Sequence, residues 1–200
     1  MTQLDIESKE MTANNSHSDR YFNTDEYEDS LDPWGYETNP SDAVRRKWFE
    51  TFTTPIPKDR TLDIGAGVGF VSRDIKTNEY VCLDISQTST SELNAYFEKV
   101  GKNKTHKAIR GSVLDLEKMD LGIFDFIIST GVFYEHYLGK NRNNLESQIN
   151  SVSEYGTYLL TIHIADWPTL IPTLGFIELD RWQYPYREFT HELILQRKVS

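Results

Sequence analysis

Residues 62–69 read Leu62-Asp63-Ile64-Gly65-Ala66-Gly67-Val68-Gly69, and the fold follows from where that run sits. Arg60 to Ile64 leads into it and reads as a strand. Three closely spaced glycines then make a turn. Without a Cβ the backbone can bend sharply there and let a ligand come close. Phe70 to Lys76 reads as a helix and Tyr80 to Asp84 as a second strand. Ser89 and Glu92 have capping-box spacing. Behind them Leu93, Tyr96, Phe97 and Val100 make one apolar helix face, closed by Gly101. His106 to Arg110 is a third strand. Phe124 to Thr130 is a fourth, apolar enough to be central. Asn143 to Val152 reads as a helix and Thr157 to Ile164 as a fifth strand. Phe176 to Trp182 and Glu188 to Lys198 complete the set. Their link, Gln183 to Tyr186, is too short for a crossover, so this last pair is antiparallel. Upstream, Ser41 can cap a helix with Asp42 in its first turn, running through Val44, Trp48 and Phe49 and stopping before Thr53-Thr54-Pro55. The pattern predicts an α/β fold, a mostly parallel sheet ending in an antiparallel hairpin. Ligands of such sheets lie beyond the carboxyl ends of the strands.

The glycine spacing selects the ligand. A dinucleotide fingerprint needs a glycine where this chain has Phe70. Asp63, two residues before the first glycine, would repel a pyrophosphate. It suits a ligand that carries an ammonium and a sulfonium, and S-adenosylmethionine carries both. Asp84 ends the second strand 21 residues after Asp63, where a carboxylate can accept both ribose hydroxyls. The loop Arg110-Gly111-Ser112-Val113-Leu114-Asp115 can reach the adenine.

The chain has 200 residues and a formal net charge of -10. Most of that charge is in the first 32 residues, where nine acids face Lys9 and Arg20. The division expected is an acidic, disordered tail over 1–20, a lid segment and helix over 21–57, and the main domain over 58–200. The remainder of the chain is near neutral and lacks the footprint of a duplex-binding protein. Lys99, Lys102, Lys104, Lys107 and Arg110 read as a solvated face. No apolar run is long enough to span a membrane. One cysteine, Cys82, excludes an intrachain disulfide and a cysteine-cage zinc site, and no histidine pair has metal-ligand spacing. The start of the chain has no secretory pattern, and with the lone cysteine that points to the cytosol.

Asp63 with its three glycines, an acid ending strand two, and a terminal antiparallel hairpin, in that order, resemble the class I S-adenosylmethionine-dependent methyltransferases. The resemblance covers residues 58–198. It implies a Rossmann-like sheet of order 3-2-1-4-5-7-6, with Asp63, Gly65, Gly67 and Gly69 around the methionine part of the cofactor. Asp84 would hold the ribose, Ile85, Ser112 and Val113 would flank the adenine, and Thr130 to Phe133 would close the site. Many relatives have Asp where this chain has Ser112. Asp32-Pro33-Trp34-Gly35-Tyr36, followed by Arg45-Arg46-Lys47, resembles the N-terminal lid of the nodulation-type small-molecule N-methyltransferases, which implies that Trp34 folds over the cofactor. The segment Ala165 to Leu174 is too short for that family's usual helix.

An unperturbed imidazole titrates near ~6.5 and can take a proton from an acceptor. His136 follows strand four and His163 ends strand five, both toward the mouth. They are the expected bases, His136 first. His106 and His191 read as structural or exposed. The expected function is methyl transfer to a small molecule bearing an amine, hydroxyl or sugar. The alternatives are a nicotinamide oxidoreductase, a non-catalytic module of the same fold, and a methyltransferase acting on protein or RNA.

Overall fold

The structure, a computed structural model, describes residues 35, 39–139 and 142–200. The expected tail, most of the expected lid segment and Trp34 lie outside the described residues. In chain order the elements are α1 (Pro40–Thr53), β1 (Arg60–Ile64), β2 (Glu79–Asp84), α2 (Gln87–Lys99), β3 (His106–Arg110), a 3-10 helix (Val113–Met119), β4 (Phe124–Thr130), α3 (Glu135–Leu138), α4 (Arg142–Ser151), β5 (Ser153–Ile164), β6 (Phe176–Tyr186) and β7 (Phe189–Lys198). The seven strands form one sheet in the order β3-β2-β1-β4-β5-β7-β6, as expected. β1 to β5 pair in parallel, and β7 runs antiparallel to both β5 and β6.

Both faces of the central strands are buried, which is why they read as continuous apolar runs. Leu62, Ile64, Val81, Leu83, Ile127 and Leu159 point to one side, under Leu116 of the 3-10 helix and Leu145 and Ile149 of α4. Tyr80, Cys82, Phe126, Ile128, Leu160 and Ile162 point to the other, with Phe49 of α1 and Leu93 and Phe97 of α2. The N-terminal helix is docked on the hairpin: Phe52 stacks on Trp182 at 3.8 Å and on Trp48 at 5.2 Å.

Several boundaries differ from expectation, each for a local reason. Phe70 to Asp74 forms successive turns and Ile75-Lys76 is irregular, so no helix forms there. The segment is short for helix nucleation, and the Ser72 hydroxyl there is drawn to Asp63. The cap of α2 is Ser86, whose Oγ accepts from Ser89 N at 3.0 Å; Ser89 lies inside the helix. α1 starts at Pro40, whose fixed φ suits a first helical position. β6 continues through Pro185 to a two-residue turn, Arg187-Glu188. It is an edge strand, where a residue without an N–H is tolerated.

Cys82 is fully buried, and burial pushes its thiol well above the usual range. A thiol-reactive disulfide reagent should therefore label native protein only at the rate of unfolding. Labelling as fast as free cysteine would show that β2 is open.

Candidate active site

One cavity of about 520 Å³ opens over the carboxyl ends of β1, β2 and β4. Its floor is the turn after β1. Gly65 N and Ala66 N both donate to Leu83 O, at 2.7 and 3.2 Å, which ties the turn to β2. Gly65 has φ +71°, and a Cβ there would lie 2.0 Å from Val132 Cγ2. Gly67 has φ +53°, and a Cβ there would meet nothing within 4 Å, since the residue faces open cavity. Gly67 N donates to Asp84 Oδ2 at 2.7 Å, and Ser86 N donates to Asp84 Oδ1 at 2.9 Å. A carboxylate has about four acceptor positions, enough for both amides and a ligand. Asp84 thus shapes the loop as well as facing the cavity.

Asp63 lines the cavity yet is buried. Its Oδ2 accepts from Ser72 Oγ and, at 2.6 Å, from Tyr80 OH. Burial outweighs those two bonds and pushes its carboxyl up to about 6. Ile85, 46% exposed, presents an apolar side chain to the cavity. Ser112, Val113 and Thr130 also line it, and Ser112 Oγ caps the 3-10 helix by accepting from Leu114 N.

Two expected cofactor residues lie elsewhere. Gly69 packs under α2: a Cβ there would come within 3.0 Å of Leu93 Cδ1 and 2.8 Å of Arg73 Cβ. It is a packing glycine, outside the cavity lining. Phe133 is buried in the core with Leu145 and Leu170 and is also outside the lining.

Neither expected base opens on the cavity. His136, in α3, stacks on Tyr134 at 5.1 Å and meets Trp167 edge-on. Those two aromatics line the cavity, and His136 is outside its lining. His163 is on the wrong face of β5. Ile162 and Ile164 line the cavity, so strand alternation turns His163 away. There its Nε2 lies 3.1 Å from Glu192 Oε2, and burial lowers its pKa.

The histidine that does line the cavity is His191 of β7. Its register partner is Ile164, and that pairing was the missed signal. Arg45, Tyr134, Tyr137, Trp167, Tyr186, Arg187 and Phe189 complete the far wall. Arg45 pairs with Asp42 at 2.9 Å, and Tyr186 OH donates to the same carboxylate at 2.8 Å. Tyr134 OH accepts from Ile164 N at 2.7 Å.

A family model described as a methyltransferase domain matches residues 62–160, from β1 into β5. The chain belongs to the class I methyltransferases. Its methyl donor is accordingly S-adenosylmethionine. Among solved structures, the N-methyltransferase NodS from Bradyrhizobium japonicum, in complex with S-adenosyl-L-homocysteine, superposes with a TM-score of 0.72 at 17% identity, covering 89% of this chain and all of NodS. A Pyrococcus horikoshii protein provisionally described as an RNA methyltransferase gives 0.57 at 16% identity, over 82% of this chain and 86% of its own. The [4+2]-cyclase SpnF gives 0.63 at 13% identity, over 79% and 81%. These likenesses speak for the fold. No curated protein matches the sequence.

The cavity of this methyltransferase fits the donor by its own geometry. The bare Gly67 backbone, the buried Asp63 and the strand-end Asp84 lie along one wall, and Ile85 supplies apolar surface. Among the described residues no acid, histidine and cysteine cluster could hold a metal. Among the described residues no helix is long and apolar enough to cross a membrane.

Proposed function

We propose that the methyltransferase acts on a small molecule, with a neutral amine as the methyl acceptor. Asp63, Gly65 and Gly67 would hold the methionine part of S-adenosylmethionine, and Asp84 the ribose. Ile85, Ser112 and Val113 would flank the adenine, with Thr130 beside the sulfonium end. The bound donor supplies an electrophilic methyl group. The chain then has to hold a nucleophile in line behind that carbon and keep water away, so proximity and orientation carry much of the acceleration.

The observation that supports a small acceptor is the far wall. Tyr134, Tyr137, Trp167 and Phe189 enclose it with aromatic surface, and Arg45, Arg187, Glu188 and His191 supply the polar groups among them. Such a lining suits a small ligand, and the near-neutral main domain offers little to nucleic acid. The preference for an amine follows from the histidines. His136 and His163 lie outside the cavity lining, burial makes the lining histidine, His191, too weak a base, and an amine already neutral needs no proton removed before it attacks.

The full-length chain, incubated with S-[methyl-³H]adenosylmethionine and a fractionated cell extract, should label the low-molecular-weight fraction. Label confined to the RNA or protein fraction would overturn a small-molecule acceptor.

A further inference from the structure

His191 is held between two tyrosines. Its ring lies against Tyr186, stacked with centroids 4.0 Å apart and planes 26° from parallel. Tyr184 meets it edge-on at 5.6 Å. Its Nδ1 is 3.2 Å from Tyr184 OH. Tyr186 is itself anchored, by its hydroxyl on Asp42 and by the Arg45 guanidinium 5.0 Å from its ring centre. The imidazole has little rotational freedom left. Among the described residues no hydrogen bond reaches its Nε2, and the residue lines the cavity. Its strand partner Ile164 lines the cavity too and is bonded to Tyr134, one of the aromatic walls.

We infer that His191 positions the acceptor: Nδ1–H donates to the Tyr184 oxygen, and Nε2 takes a hydrogen bond from the N–H of the attacking amine. The inference rests on small-molecule amine methylation as proposed above, and it names the group that aims the nucleophile. A bond from the amine N–H to a fixed acceptor orients the nitrogen lone pair. As the N–CH₃ bond forms, the S–CH₃ bond breaks and its electron pair goes to sulfur. The amine proton stays on the product and leaves later to water. His191 is not a base for that proton. Burial, with Arg45, His163 and Arg187 nearby, lowers its pKa to about 3, so the ring is neutral throughout the working range. The charged groups facing it are Arg45 of α1, Arg187 of the hairpin turn, and Asp42 between them.

Two measurements on the full-length chain saturated with S-adenosylhomocysteine test this. Diethyl pyrocarbonate, which attacks unprotonated imidazole, should modify His191 at least ~10-fold faster than His163, which faces away from the cavity. Its rate should hold steady between about pH 5.5 and 7.5, where N-acetylhistidine in the same tube slows with acid. A His191 no faster than His163 would overturn the inference. The second measurement compares His191→Asn, which keeps a partner for Tyr184, with His191→Gln, which restores a polar atom near the Nε2 position. With glycine, sarcosine, glucosamine and tyramine as probe acceptors, the Asn variant should lose about ten-fold or more in kcat/KM, the worth of one hydrogen bond. The Gln variant should recover most of it, with cofactor affinity unchanged in both. Equal loss in the two, with cofactor binding intact, would overturn the positioning role. If the wild-type chain methylates none of the four, the amine proposal fails for that set, while the labelling rates still decide whether Nε2 opens on the cavity.

Discussion

Replacing Asp84 by Ala should raise the dissociation constant for S-adenosylhomocysteine about 100-fold, read by calorimetry. Two effects add. The ribose hydroxyls lose an ionised acceptor, and bonds of that kind are worth about 1.5–3 kcal/mol each. The glycine turn also loses its brace, because Asp84 accepts from Gly67 N and from Ser86 N. Asp84→Asn should fall between wild type and Ala, since its one carbonyl oxygen can keep one amide. A change below about threefold in the Ala variant would remove Asp84 from the ribose role.

Asp63→Asn should separate stability from binding, and in opposite directions. The folded pKa of Asp63, about 6, lies above the ordinary carboxylate value. Its contribution to stability is therefore fully present below ~4 and is lost as the pH rises through 6, at a cost of about 3 kcal/mol in the unliganded protein. Asn keeps an acceptor for Ser72 and Tyr80 and carries no charge to bury. The variant should melt well above wild type at pH 8, and the gap should close near pH 4.5. Cofactor affinity should move the other way, falling about ten-fold or more at pH 8, because a buried carboxylate opposite an ammonium is lost. For the same reason wild-type binding should release a proton near pH 6, visible as a buffer-dependent heat. A gap in melting temperature that does not change with pH would show that Asp63 is already ionised and solvated.

The strands and the antiparallel end were legible because their cues are local and strong; the order in the sheet followed from the resemblance to class I methyltransferases that those cues carry. Asp63 and the glycine run mark the first crossover, Phe124 to Thr130 carries the apolarity of a central strand, and Gln183 to Tyr186 leaves no room for a helix. Most of the expected cofactor residues line one cavity for the same reason; Gly69 and Phe133 do not, and Trp34 lies outside the described residues. A glycine needed for close helix packing and one needed for close ligand approach look alike in a sequence. The acceptor side was harder to read because it is assembled across strands. Which face His163 takes depends on the phase of β5, and a one-residue change of phase reverses it. His191 reaches the cavity only because β7 pairs with β5 so that it sits beside Ile164. His136 touches Tyr134 and Trp167, which line the cavity, without lining it itself.

Calorimetric titration of the full-length, folded chain with S-adenosylhomocysteine bears most directly on the cavity over β1, β2 and β4. Saturable binding of one molecule per chain is expected, abolished or severely weakened in Asp84→Ala, with no heat from a nicotinamide dinucleotide under the same conditions. No heat from the sulfur nucleoside, or tighter binding of the dinucleotide, would contradict it.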